Sequence, residues 1–298
     1  MSIRALRTLI SVHRHGSFRL SAEAEHLTPA AVSQQMRNLE TSLKLQIFER
    51  SQRTPKLTEV GLSLVSEASM VIAAYDGLAD KVRSDNDISG NLILGAVPTT
   101  LTGLLPLALS QLKVSQYPAL QIRVVPGLSN QLLLQLDRGQ IHAAVISQPE
   151  VLSHSLSFSK IATEALVLLV SASTKQIPPE ELLRSQPFIR FNRDAIVGRQ
   201  IEAWLQGQGI SVKDTMELEG LEAISSMVAA NLGISIVPKR CITESDQLPL
   251  KTISLGKNAP TRTLGLVSLN NTPKIRIIAA AETALLKAVE LGSPNYIS

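Results

Sequence analysis

A single cysteine, Cys241, stands in a chain of 298 residues. That scarcity excludes an intramolecular disulfide and a zinc site held by thiolates. Cys241 reads as a passive residue, with a redox sensor as the alternative. The five histidines, His13, His15, His26, His142 and His154, show neither HExxH nor any i,i+4 pairing, which removes the commonest zinc-hydrolase pattern. There is no GxxxxGK[ST], and no GxGxxG follows a strand. An enzyme needs a nucleophile with its base, a metal cluster or a phosphate loop. With none of these in view, the expectation is a protein that is not an enzyme and needs no cofactor or metal. No apolar run approaches the ~20 residues of a membrane span, and Met1 to Arg7 lacks the apolar core and cleavage site of a signal peptide. The expected address is the cytoplasm, with no membrane partner.

What is present is a sizeable apolar content and an uneven charge. At 44% hydrophobic over 298 residues, the chain has material for two or three domains with real cores. Residues 1–58 hold nine Lys and Arg against four Asp and Glu, so the other 240 residues hold 20 against 21. All the excess positive charge lies at the N-terminus. A small basic module on a nearly neutral body suits a head that binds a polyanion, although a chance fluctuation in surface charge gives the same count.

Within the head, Leu6, Leu9, Ile10 and Phe18 predict a first helix over residues 3–14, broken by His15-Gly16-Ser17. Ser17 is a plausible cap for a short helix over Leu20 to His26, which Leu27 ends. Thr28 then stands where an N-cap belongs, before Pro29 at the first helical position. In this next helix Val32, Met36, Leu39 and Leu43 share a narrow stripe and form the buried side. Ala30, Ser33, Gln34 and Arg37 lie opposite. Small, hydroxyl, amide and guanidinium groups suit a helix that approaches a major groove closely and bonds to base edges and phosphates. Two short helices joined by a tight turn read as a helix-turn-helix, against an ordinary helical hairpin. After it, "LQIFERSQRTPKLT" reads as a two-stranded wing, anchored by Ile47, Phe48 and Leu57 and carrying Arg50, Arg53 and Lys56 toward a phosphate strand.

The combination "GSF…AE…LTPAAVSQQMRNLE…L…IFER…R…LTEVG" resembles the winged helix-turn-helix of LysR-type transcriptional regulators, over residues 1–61 without a gap. Two positions depart from the common pattern. Pro29 stands where many members have Gln, which removes one possible base contact, so the site preference of relatives does not carry over; Leu20 stands where a basic or small residue is usual, and neither departure harms the fold. The candidate DNA contacts are Thr28, Pro29, Ala30, Ser33, Gln34, Arg37, Arg50, Arg53 and Lys56.

From Leu57 a heptad-like stripe runs through Val60, Leu64, Ala68, Val71, Tyr75, Leu78 and Val82. It predicts one long helix with a face for a second chain to cover, or for the chain's own body. The resemblance implies antiparallel pairing of such linker helices. Beyond Gly90 short apolar runs alternate with helical segments: "NLILGAV", "LQIRVVPG" and "HAAVIS" read as strands in a βαβαβ series. A second set follows in "ALVLLVSA", "PFIRF", "SVKDTMEL" and "ISIVP", and "LGLVSL" with a helix from Lys274 to Glu290 returns to the first. The resemblance extends to about Glu290, through "GNLILGAVPTTLTGLLP", "YPALQIRVVPGLSNQLLLQLDRGQIHAAVIS" and "MVAANLGISIVP". In the last, Asn231 replaces a usual Gly but tolerates the left-handed turn. The fold class expected is an N-terminal all-α winged helix-turn-helix with a long linker helix, then a C-terminal α/β two-lobed effector domain like a periplasmic binding protein. The expected bounds are 1–58 for the head, 59–89 for the linker and 90–298 for the effector domain, with lobe I at about 90–161 and 267–298 and lobe II at about 162–266.

In open α/β lobes ligands bind at the carboxyl ends of strands. That rule selects Thr99, Thr100 and Leu101, Ser129, Ser147 and Gln148 from one lobe, and Phe191, Arg193, Gly198, Glu219 and Gly220 from the other. Plain helix capping is the competing role for Thr99, Thr100 and Ser129, and simple surface exposure for Arg193. Glu219 either keeps anions from its end of the cleft or selects an amine. The function implied is a sequence-specific, DNA-binding transcriptional regulator controlled by a small-molecule effector. Its expected partners are double-stranded DNA, the effector, its own copies as homodimer and homotetramer, and RNA polymerase. The alternative is a cytoplasmic small-molecule-binding protein whose basic head binds DNA without specificity.

Overall fold

The computed structural model describes residues 2–49, 55–76, 90–115, 117–242 and 248–292. The chain divides into two compact units, one of residues 1–84 with 271–275, the other of 85–270 with 276–298.

In the first unit, α1 (Ile3–His15) starts where Ser2 Oγ accepts from the Ala5 N–H at 3.2 Å, and it ends on Gly16, left-handed at φ 66°. Ser17 Oγ accepts from the Leu20 N–H at 3.0 Å and opens α2 (Phe18–Ala24), so this helix begins two residues earlier than its composition suggests. Thr28 Oγ1 accepts from the Ala31 N–H at 3.2 Å and opens α3 (Pro29–Leu43), with Pro29 at its first position. Val32, Met36 and Leu39 are buried, and Leu43 packs beside them. Leu6 and Leu9 of α1 close the core over Met36 and Leu39. The Glu40 carboxylate then accepts from the Ile47 and Phe48 N–H groups at 2.8 and 3.0 Å, which fixes the start of the wing. Phe48 pairs antiparallel with Leu57, so the base of the wing is a two-stranded ribbon.

The helix that follows, α4 (Glu59–Asp76), has two apolar stripes rather than one. Gly61, Val65 and Ala68 are buried against the head's own core, with Leu64 and Ile72 half-buried beside them. Val60, Val71 and Tyr75 are exposed at 46, 44 and 54%. At about 100° per residue, the two sets are centred roughly 80° apart. The stripe expected from the sequence is therefore shared: Leu64 and Ala68 belong to the head, and Val60, Val71 and Tyr75 face outward. Its last members, Leu78 and Val82, lie outside the described residues. A Cβ on Gly61 would come within 2.3 Å of the Ile47 carbonyl oxygen, so only glycine lets α4 pass the wing this closely.

In the second unit, β1 (Gly90–Ala96) pairs in parallel with β2 (Leu120–Pro126) on one side and β3 (Ala143–Ser147) on the other. Between them lie α5 (Leu104–Ser115) and α6 (Ser129–Asp137). The next strand, β4 (Leu156–Ser171), has sixteen residues, about twice the length expected from "ALVLLVSA". Its first half pairs antiparallel with β9 (Thr261–Leu269), and β9 in turn pairs with β3. Its second half pairs with β7 (Ser235–Pro238) and β8 (Leu250–Ser254), the latter not foreseen. Thus β4 and β9 pass from one lobe to the other. Lobe II adds α7 (Pro179–Ser185), β5 (Pro187–Phe191), α8 (Ile196–Gly207), β6 (Lys213–Leu218) and α9 (Leu221–Ala229), with β5 and β6 parallel. α10 (Ile275–Gly292) buries Ile277, Ile278, Ala281 and Leu285 in the core of lobe I. Each lobe has its own core: Leu94, Leu112, Leu132 and Val145 in one, Leu168, Phe188, Ile224 and Ile236 in the other. Asn231 adopts φ 59°, the left-handed turn foreseen for it.

Candidate functional site

Two places gather the residues selected from the sequence. The first is the outer face of α3. Thr28, Pro29, Ala30, Gln34 and Arg37 are exposed, and Ser33 is half-buried. Arg37 Nη2 donates to Gln34 Oε1 at 3.0 Å, and Gln34 Nε2 donates to Asn38 Oδ1 at 2.9 Å. Asn38 thus completes a relay of guanidinium and two amides along one helix face. The residue was not selected from the sequence, although at about 100° per residue it lies as near the centre of the outward sector as Arg37 does. The face can donate and accept hydrogen bonds in a planar fashion, and it bears no carboxylate among Thr28, Ala30, Ser33, Gln34, Arg37 and Asn38. On the wing, Lys56 is exposed and its Nζ stands 3.3 Å from Glu49 Oε1. Such a surface pair contributes little and leaves the ammonium free to exchange partners. Arg50 and Arg53 lie outside the described residues.

The second place is the cleft between the lobes. The carboxyl ends of β1, β2 and β3 bring Val97, Pro98, Thr99, Leu128, Ser129 and Ser147 to one wall. Phe191 at the end of β5, Ala195, Ile196 and Val197 at the start of α8, and Glu219 after β6 form the opposite wall. The space they enclose is a cavity of about 20 Å³, room for about one water. Arg262 forms its floor and was missed from the sequence. It is 1% exposed, opposite Glu164 across the β4–β9 ladder, and Glu164 is 2% exposed. Arg262 Nε donates to Glu164 Oε2 at 2.6 Å and Nη1 donates to Thr99 Oγ1 at 2.8 Å. Glu164 Oε1 accepts from the Cys241 N–H at 2.8 Å. Burial lowers the Arg262 pKa and Glu164 opposes that shift, so the guanidinium keeps its charge. The pair sits on the strands that join the lobes and ties both to Thr99.

Not every selected residue reaches the cavity. Thr100 is buried and donates its hydroxyl to the Val97 carbonyl at 2.8 Å, a local turn contact. Leu101 packs against the core of lobe I. The Gln148 N–H is taken by the Thr263 carbonyl at 2.8 Å. Arg193 bonds the exposed Glu217 through its backbone N–H and its Nε, at 2.9 and 3.0 Å. The backbone N–H, then the guanidinium, hold the Glu217 carboxyl below its ordinary range. Gly198 serves packing, since a Cβ there would come within 2.0 Å of the Asn192 carbonyl oxygen. Gly220 is the cap residue before α9. At the rim, Thr102 of lobe I donates to Glu222 Oε1 of α9 at 2.7 Å, and Arg240 Nη2 stands 2.9 Å from the same oxygen. That contact latches the two lobes.

Cys241 is half-buried, and its thiol is pushed up to about 12, chiefly by burial and then by the charge of Glu164. It carries almost no thiolate at neutral pH, which favours the passive reading over the redox one. Among the described residues no helix is long and apolar enough to cross a membrane, and no three His, Cys, Asp or Glu side chains gather as metal ligands do.

Comparison with known proteins bears on both places. The model of bacterial regulatory helix-turn-helix proteins of the lysR family matches residues 3–62, and that of the LysR substrate binding domain matches residues 85–288. A probable RuBisCO transcriptional regulator of Emiliania huxleyi is 30% identical over 256 residues, which is 82% of this chain and 80% of that one. Full-length OxyR from Pseudomonas aeruginosa superposes with a TM-score of 0.73 at 22% identity, over 96% of this chain and 94% of that one. Full-length CbnR complexed with its target DNA gives 0.57 at 20% identity, over 97% and 100%. At these identities the two structures speak for the fold.

Proposed function

We propose a working mechanism from one premise: the chain belongs to the LysR family of transcriptional regulators. It is thus a regulator with a DNA-binding helix-turn-helix and an effector-binding domain. In the proposed mechanism α3 enters the major groove, with Gln34 and Arg37 reading base edges while Thr28, Pro29, Ala30 and Ser33 allow close approach. Arg50, Arg53 and Lys56 of the wing add contacts to phosphates. The observation that carries this reading is the exposed relay of Arg37, Gln34 and Asn38 on a helix whose other face is fully committed to the core.

The head comprises residues 1–58, the linker 59–89 and the effector domain 90–298. The outward stripe of α4, Val60, Val71 and Tyr75, pairs with the same stripe of a second copy. Two such dimers form a tetramer, and the assembly meets RNA polymerase in the cytoplasm. A small effector between the lobes, against Thr99, Ser129, Ser147, Phe191 and Glu219, shifts the balance between two quaternary arrangements by its differential affinity for them. The protein has no catalytic task in this scheme. Gel shifts with DNA from upstream of the protein's own gene, at two salt concentrations, test it. Binding that weakens steeply with salt is expected. No binding at either concentration would refute the DNA-reading role.

A further inference from the structure

We infer that Lys44 is a phosphate contact of the DNA-binding head, kept at a backbone position that glycine would fill with less strain. The inference rests on the reading of α3 as the helix that enters the groove, and adds how that helix is anchored where it leaves. Three described residues other than glycine adopt the left-handed conformation: His26, Lys44 and Asn231. Histidine and asparagine are enriched in it, and lysine is not. Lys44 takes φ 55° and ψ 37° as the C-cap of α3, where its N–H donates to the Glu40 carbonyl. A Cβ in that conformation crowds the following carbonyl oxygen, so a side chain kept there points to a task that glycine cannot perform. The helix dipole favours a cation near a C-terminus. Any residue of the last turn would satisfy it without left-handed backbone, yet that turn of α3 has no basic residue.

The place of Lys44 on α3 indicates the task. Ala30, Gln34, Arg37, Thr41 and Lys44 follow in steps of four, three, four and three, a row about 80° wide on the outward side. Arg37, Thr41 and Lys44, with Glu40, Leu45 and Gln46, line one open groove of about 460 Å³. Its other polar groups are engaged. Glu40 Oε1 accepts from the Ile47 and Phe48 N–H groups, Thr41 Oγ1 donates to the Arg37 carbonyl at 2.9 Å, and Gln46 Nε2 donates to the Phe48 carbonyl at 3.3 Å. Lys44 is exposed, and among the described residues its ammonium has neither an ion pair nor a hydrogen-bond partner. It stands seven residues beyond Arg37, about 10 Å along the helix axis. With Gln34 and Arg37 over base edges in a major groove about 12 Å wide, a group that far along meets the phosphate strand at the groove's edge. An ammonium there displaces a condensed counterion and adds affinity for any sequence.

The test uses the full-length protein and two duplexes of equal length, one from upstream of the protein's own gene and one scrambled. Anisotropy titrations over a series of salt concentrations give the affinity and its salt slope for the parent, Lys44→Gly, Lys44→Gln and Lys44→Arg. Both uncharged variants should bind both duplexes roughly 3- to 10-fold more weakly, with a slope shallower by about 0.9 for each head in contact. Lys44→Arg should keep the parent's slope. Lys44→Gly relieves the backbone and Lys44→Gln does not, so the glycine variant should melt above the glutamine variant and no lower than the parent. Its loss of DNA is then no loss of fold. The proposal falls if both uncharged variants keep the parent's affinity and slope, or if they lose the upstream duplex alone, which marks a base contact. It falls equally if Lys44→Arg loses as much as Lys44→Gly, or if Lys44→Gly melts below Lys44→Gln. A parent that binds neither duplex at any salt concentration would remove the reading of α3 itself, whereas a parent whose salt slope is indifferent to Lys44 would remove only this contact.

Discussion

On α3 the polar groups stand outside: Gln34 and Arg37 are exposed and bond each other and Asn38 within one turn of helix. In the cleft the polar groups stand inside: Arg262 and Glu164 are 1% and 2% exposed and meet across 98 residues of sequence. The head keeps its packing and its exposed polar groups on opposite sides of one helix, so each set can change without the other. In the effector domain one ion pair serves the strand crossing, the floor of the cavity and the contact to Thr99 together. A surface of the first kind can change its side chains while its fold persists. A cavity of the second kind cannot change its floor without altering how the lobes are joined.

The largest expected effect follows from that contrast. Glu164→Leu leaves a buried guanidinium without its carboxylate and should cost about 3–5 kcal/mol in urea unfolding, whereas Arg37→Leu should stay within about 0.5 kcal/mol. Equal costs would erase the distinction between the two regions. Next, Val71→Glu on the outward stripe of α4 should weaken self-association by about 2–3 kcal/mol, roughly 30- to 150-fold, by sedimentation, with the helical signal unchanged. If the oligomer persists, the stripe is not the contact. Gly61→Ala drives a Cβ into the Ile47 carbonyl and should lose about 1–3 kcal/mol. Gly207→Ala, where a Cβ meets nothing within 4 Å, should be neutral or slightly stabilising. The smallest effect is at Cys241: its thiol should stay almost unlabelled by a disulfide reagent at pH 8 until the protein is unfolded. Rapid labelling of the native protein would reopen the redox reading.

The same contrast explains how much could be read before the structure. Helix α3 was legible in full, because Thr28 and Pro29 mark its start and Val32, Met36 and Leu39 repeat at helical spacing, all local signals. The strands β1, β2, β3, β5 and β7 were legible from short apolar runs. The first half of β4, "LSFSKIATE", was not, since Ser157, Ser159, Lys160 and Glu164 interrupt its apolar residues and its place in the sheet comes from pairing with β9. Glu164 and Arg262 look like surface charges in sequence, and only the strand register places them face to face. Their partnership is non-local, so neither spacing nor propensity could find it. The stripe of α4 was legible as apolar but not as divided, because the head that covers Leu64 and Ala68 is built from residues far earlier in the chain. Among the selected cleft residues, Thr99, Ser129, Ser147, Phe191 and Glu219 line the cavity. The carboxyl-end rule found the loops, but it could not tell which side chain of a loop turns inward, and so it also selected Thr100 and Gly198.

The central claim is that α3 reads DNA through its outer face. Fluorescence anisotropy with an upstream fragment and with a scrambled fragment, for the parent and for Arg37→Ala at one fixed salt concentration, tests it most directly. Loss of a bidentate base contact predicts about 5- to 150-fold weaker binding to the upstream fragment and a much smaller change on the scrambled one. An equal loss on both fragments would make Arg37 a phosphate contact, and no loss on either would show that the reading face lies elsewhere.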